Sequence, residues 1–105
     1  MNKYKVLETK LKKISNHIDE MKLKDETTIK YLMQYKVYVD QLIDAVQKKT
    51  ISDSNGAVLG LIKGISDYDE LCMDNELWNL VTDTDIFYSE KCKSFEYQSP
   101  GRFCD

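Results

Sequence analysis

A chain of 105 residues with 42% hydrophobic and 31% charged residues is long enough for one hydrophobic core and too apolar to be a disordered chain. Proline occurs only at position 100, Met1–Lys13 is polar and lysine-rich, and no run reaches the ~18 apolar residues of a membrane span, which argues against a secretory leader and a transmembrane segment. The net charge of −3 is unevenly spread: residues 1–50 carry eleven lysines against seven carboxylates and residues 51–105 four cations against eleven carboxylates, so the second half argues against nucleic acid as its target.

Residues 4–22 predict an amphipathic helix. Tyr4, Leu7, Leu11, Ile14, Ile18 and Met21 recur at spacings of three and four, and the positions between them are almost all charged or polar. The stripe spans less than three heptads, which suits a bundle helix rather than a long coiled coil. Lys22–Glu26 interrupts the pattern, and Asp25, Thr27 or Thr28 can cap the next helix. That second helix is predicted over 28–49. Ile29, Leu32, Met33, Lys36, Val39, Ile43 and Val46 share one face, with the aliphatic stem of Lys36 bridging the gap, and Tyr31, Tyr35, Tyr38 and Leu42 form a second stripe beside it. So wide an apolar arc predicts packing on two neighbours, or a tyrosine face turned towards a partner. Lys48 and Lys49 suit the negative pole of a helix C-terminus.

Thr50–Gly56 reads as a loop of turn and cap residues. A third helix is expected from about 54 to 65 with Val58, Leu61, Ile62 and Ile65 inward, because no alternating segment is present to pair with AVLGLI as a strand. Gly56, Gly60 and Gly64 recur every four residues and would share one narrow face of it. At roughly 1 kcal/mol each against alanine, three helical glycines predict a neighbouring helix in close approach. Ser66 is expected to cap a short helix bearing Tyr68, Leu71 and Cys72. Asp74 is expected to cap residues 76–81, with Trp78 as a core anchor, and the cap-rich Thr82–Asp85 to separate these from a last helix over 85–95. Residues 96–105, which include Pro100 and Gly101, are expected to form an irregular tail. The expected fold is therefore all-α, one domain over 1–105, a compact bundle of four to six helices.

Few residues of this chain suit catalysis. The single histidine, His17, flanks the apolar stripe of the first helix, and no nucleophile stands beside it in a recognisable arrangement. Cys72, Cys92 and Cys104 are separated by 20 and 12 residues, unlike the short paired spacings of zinc sites. An odd number of cysteines without a leader suits free thiols in a reducing cytoplasm, with Cys72 and Cys92 as small buried groups and Cys104 exposed. The glycine series is not followed by the lysine of a phosphate loop, and DYDELCMDNE lacks the glycine and terminal glutamate of a calcium loop. The expectation is a protein that is not an enzyme and carries no cofactor or metal.

What remains is an acidic surface studded with aromatic residues. Asp67, Tyr68, Asp69, Glu70, Asp74, Glu76, Asp83 and Asp85, followed by Glu90, are met by one nearby cation in the sequence, Lys91. Carboxylates at turns and helix starts also serve as caps, but negative charge interleaved with Tyr and Trp suits docking on a basic protein surface. Asp67, Tyr68, Asp69, Glu70, Asp74, Glu76, Asp83 and Asp85 are the candidate partner-binding residues. In size, charge, missing leader and missing catalytic groups, and in the GISDYDEL stretch with its acid run, the whole chain resembles the small, acidic, Lys- and Ile-rich immunity proteins that bacteria encode beside secreted or contact-dependent toxins. The resemblance transfers no individual residue. It implies a cytoplasmic protein that binds a cognate toxin domain, often a nuclease, and blocks its active site. No nucleic-acid, membrane or small-molecule partner is expected. The alternative is a helical homo-oligomer or adaptor that associates through Tyr31, Tyr35 and Tyr38.

Overall fold

A computed structural model describes residues 3–51 and 58–92. They form five helices, α1 (Lys3–Glu20), α2 (Glu26–Gln47), α3 (Leu61–Ser66), α4 (Asp69–Cys72) and α5 (Asn75–Lys91), and no strand occurs among the described residues. The fold is all-α. None of these helices is long and apolar enough to cross a membrane. Gly56, Cys104 and the expected tail over 96–105 lie outside the described residues.

The frame is α1 flanked by α2 and α5. The stripe predicted for α1 faces inward, with Leu7, Leu11 and Ile14 fully buried and Ile18 nearly so. Polar pairs along the seam with α2 set its direction. Gln47 donates to Glu8 at 2.8 Å, Ser15 to Asp40 at 2.9 Å, and Lys36 meets Asp19 at 3.6 Å, so residue numbers fall on α2 as they rise on α1. The seam with α5 behaves alike: Lys10 pairs with Asp83 and His17 with Asp74. Both neighbours are antiparallel to α1, and between α2 and α5 the described chain, 58–74, carries α3 and α4.

Helix α2 begins where Asp25 accepts hydrogen bonds from the N–H and hydroxyl of Thr28, at 2.9 and 2.8 Å. It ends in a Schellman pattern: Lys49 N–H bonds to Val46 O at 3.2 Å and Thr50 N–H to Ala45 O at 2.8 Å. That leaves Lys49 in the left-handed region at φ 61°. The buried face is centred on Leu32, Tyr35, Val39 and Val46. Ile29 and Met33, expected inward, are exposed, Met33 to 65%. The reason is the tyrosine stripe, which is a docking face inside the chain. Tyr38 donates to Leu59 O at 2.8 Å, Tyr35 to Leu61 O at 2.8 Å, and Tyr31 to Gly64 O. Turning that side inward rotates Ile29 and Met33 outward.

The segment so held departs from the expected third helix. Residues 58–60 are not helical, Val58 is exposed rather than inward, and α3 starts only at Leu61. Gly60 sits before it at φ 84°, a left-handed conformation suited to glycine, so Gly60 and Gly64 do not share a helix face. Of these two, Gly64 fits the expectation of close approach: a β-carbon there would meet Tyr35 Cε1 at 2.6 Å. Asp85 supplies the cap. It is 1% exposed and accepts from the backbone N–H of Leu59 (3.2 Å), Leu61 (3.3 Å) and Ile62 (3.0 Å).

The break expected at Thr82–Asp85 is absent, and α5 runs unbroken through it. The cap-type residues there serve other ends: Thr84 donates back to Leu80 O at 2.8 Å and Asp85 caps α3. Ser66 likewise closes α3 by donating to Ile62 O at 2.7 Å, and Tyr68, not Ser66, occupies the cap position of α4. Asp74 caps α5 as expected, accepting from Leu77 N–H at 2.9 Å. Cys92 is fully buried and Cys72 half-buried. Trp78, expected as a core anchor, is 36% exposed, because Leu77 and Val81 take the inward positions of α5.

Candidate functional site

The DYDE stretch turns a corner between α3 and α4, and that corner faces the connection between α1 and α2. Lys24, Asp25 and Thr28 on one side and Asp67, Tyr68, Asp69 and Glu70 on the other line an open cleft of about 490 Å³. Two contacts hold its walls in register. Glu70 accepts from the backbone N–H of Lys24 (3.1 Å) and of Asp25 (3.2 Å), one to each carboxylate oxygen. The Tyr68 ring stacks on Tyr31, with centroids 4.3 Å apart and planes 19° from parallel. Tyr31 is itself bonded to Gly64 O, so Tyr68 rests on a side chain already fixed to α3.

Four carboxylates line this cleft against one ammonium group. Asp67 and Asp69 are exposed and pair with no cation among the described residues. Asp25 is held below the ordinary carboxylate value by the Thr28 N–H and then the Thr28 hydroxyl, so it stays charged. The Tyr31 phenol is pushed up, first by burial, then by Tyr68 and by the negative charge of Asp67. An aromatic face bordered by carboxylates is suited to a lysine ammonium or arginine guanidinium, which gains both ion pairing and ring contact.

The remaining candidates are placed differently. Asp74 and Glu76 stand at the start of α5 and grip His17 between them, Nε2 at 3.2 Å from Asp74 and Nδ1 at 3.3 Å from Glu76. Asp83 is turned to α1, where Lys10 lies both on its carboxylate and 5.2 Å from the centre of the Phe87 ring. Asp85 is buried beneath α3 and offers nothing to a partner. The structure therefore brings together Asp67, Tyr68, Asp69 and Glu70, sets Asp74 and Glu76 just beyond them in the chain, and removes Asp83 and Asp85 from that group.

Lys24, Asp25 and Thr28 were not legible as site residues, because only the fold sets the α1–α2 connection against the α3–α4 corner. A second cavity of about 750 Å³ lies at the other end of the α1–α2 seam, lined by Tyr4, Lys5, Glu8, Val46, Gln47, Lys49 and Ile51. Among the described residues no group of three or more His, Cys, Asp or Glu side chains is arranged to hold a metal ion. Comparison with protein-family models, curated proteins and solved structures finds no match to this chain.

Proposed function

We propose that this chain is a small cytoplasmic binding protein that neutralises a cognate bacterial toxin domain, of nuclease type, by docking its acidic α3–α4 corner on the basic surface around the toxin's active site. The observation that carries the reading is the cleft that Asp25, Asp67, Asp69 and Glu70 line together with Tyr68. A nuclease presents a positive surface to its substrate, and complementary charge speeds encounter and orients the partners. The toxin itself comes from the resemblance to immunity proteins. The chemistry is binding alone, with the protein's inhibitory effect arising from occlusion.

The homo-oligomer reading draws less support. The hydroxyls of Tyr31, Tyr35 and Tyr38, which would carry a homotypic face, are all bonded to carbonyls of residues 59–64 in the same chain.

The test is to mix the purified protein with the toxin domain encoded by the adjoining gene and measure complex formation and residual toxin activity. A one-to-one complex that loses activity is expected, weakened at least tenfold by Asp67→Lys with Asp69→Lys, both exposed positions. A complex indifferent to those reversals, or no complex, overturns the reading.

A further inference from the structure

We infer that Met73 and Trp78 are the apolar anchors with which this protein grips a basic protein surface, an inference that rests on the binding reading above. Met73 is 76% and Trp78 36% exposed. They stand just before the cap of α5 and in its first full turn, at the two positions that commonly pack together at a helix start. The backbone beneath them is well held: Met73 N–H bonds to Asp69 O at 3.0 Å, Trp78 N–H to Asp74 O at 2.9 Å, and Asp74 both caps α5 and meets His17 on α1. Anchors on a pre-formed turn lose little freedom on binding. Tryptophan heads the residue types that dominate interface energetics, and the flexible thioether of methionine fits irregular surfaces.

A single exposed apolar side chain needs no explanation. This pair is distinguished by its electrostatic setting. From Gly64 to Glu90 there is no Lys, Arg or His, and Asp69, Glu70, Asp74 and Glu76 flank the two anchors in the chain, with His17 of α1 reaching Asp74 and Glu76 and leaving Asp69 without a cation among the described residues. Apolar anchors with an acidic rim fit a positively charged protein surface. The same sign of charge disfavours nucleic acid and anionic lipid, and it disfavours a second copy docked through the same face.

The experiment measures the affinity of the toxin domain from the adjoining gene for the parent protein, for Trp78→Ala and for Met73→Ser, with circular dichroism and urea midpoints confirming that both exposed variants keep the fold. Each substitution is expected to weaken the complex about tenfold or more, mainly by faster dissociation. Parent-like affinity in both folded variants overturns this inference and leaves the binding reading standing. Absence of any complex overturns both. A homodimer of the parent protein, dissociated by the same substitutions, overturns the assignment of a basic partner.

Discussion

The ring of Tyr35 occupies the space in which a side chain on Gly64 would begin. A β-carbon there would lie 2.6 Å from Tyr35 Cε1 and 3.1 Å from Cδ1, and the ring is held in place by its own bond to Leu61 O. Gly64→Ala should therefore destabilise the protein by about 1–2 kcal/mol, the overpacking strain exceeding the ~1 kcal/mol that alanine gains in helix propensity. Urea unfolding reads this directly. A stabilised Gly64→Ala would show that α3 can shift off the tyrosine.

Asp85 holds the start of α3. Its Oδ1 accepts from Leu59 and Leu61 and its Oδ2 from Ile62, so removing it strands three donors at the start of a six-residue helix. Asp85→Ala should cost about 3 kcal/mol, and Asp85→Asn less, since the amide keeps one accepting oxygen while its NH₂ confronts the Ile62 N–H. Thermal and urea melts rank the three proteins, and equal stability of Asp85→Ala and parent would dismiss the cap.

The acid limb of stability has an identified contributor in Glu8. Its carboxyl is lowered to about 2, first by the hydrogen bond from Gln47, then by Lys12, from an ordinary 4.5. A carboxyl depressed in the folded state stabilises above its unfolded value, and that contribution disappears as pH falls through the folded one. The window here is pH 4.5 down to about 2. In Glu8→Gln the fall of stability across that window should flatten, as measured by urea midpoints at stepped pH.

The alkaline limb belongs to the tyrosines. Burial, above all other causes, raises the phenols of Tyr31, Tyr35 and Tyr38 above 10.0, with Tyr35 pushed furthest. Folded phenols keep their protons where unfolded ones release them, so this stabilisation is complete below pH 10 and declines as pH rises beyond it. Absorbance at 295 nm should show these tyrosines ionising together with unfolding, and Tyr35→Phe should lose stability less steeply above pH 10 than the parent does.

Lys49 is the one described non-glycine residue with positive φ, at the position after a helix end where glycine is preferred. Lys49→Gly relieves about 1–2 kcal/mol of left-handed strain and returns part of it as chain entropy in the unfolded state, for a net gain of about 0.5–1 kcal/mol. A lower melting temperature for this variant would contradict the Schellman assignment.

The cores of α1 and α2 were legible because periodicity reports burial whenever a helix packs on one side. Leu7, Leu11, Ile14, Ile18, Leu32, Val39 and Val46 could be placed inward from spacing alone, and Asp25 and Asp74 could be named as caps from residue type and position. The all-α class follows from the same signals. Spacing and residue type decide less where local chemistry is ambiguous. The TDTD run of 82–85 has the composition of a helix boundary, yet lies inside α5, because the Thr84 hydroxyl bonds back to Leu80 O of the same helix and the Asp85 carboxylate caps α3 instead of α5.

The sequence by itself determined that the chain is helical, that its charge is polarised between halves, and that acid gathers after residue 66, since these depend on residue type and near-neighbour spacing. Only the tertiary structure decided which acids are free. Asp67 and Asp69 remain open to a partner, Glu70 ties two backbone N–H groups, Asp74 caps a helix, Asp83 meets Lys10, and Asp85 is buried as a cap. The physical reason is that a carboxylate's role is set by the donor it meets, and those donors lie 23 to 73 residues away for all of these paired acids except Asp74, whose cap is local and whose His17 contact is not.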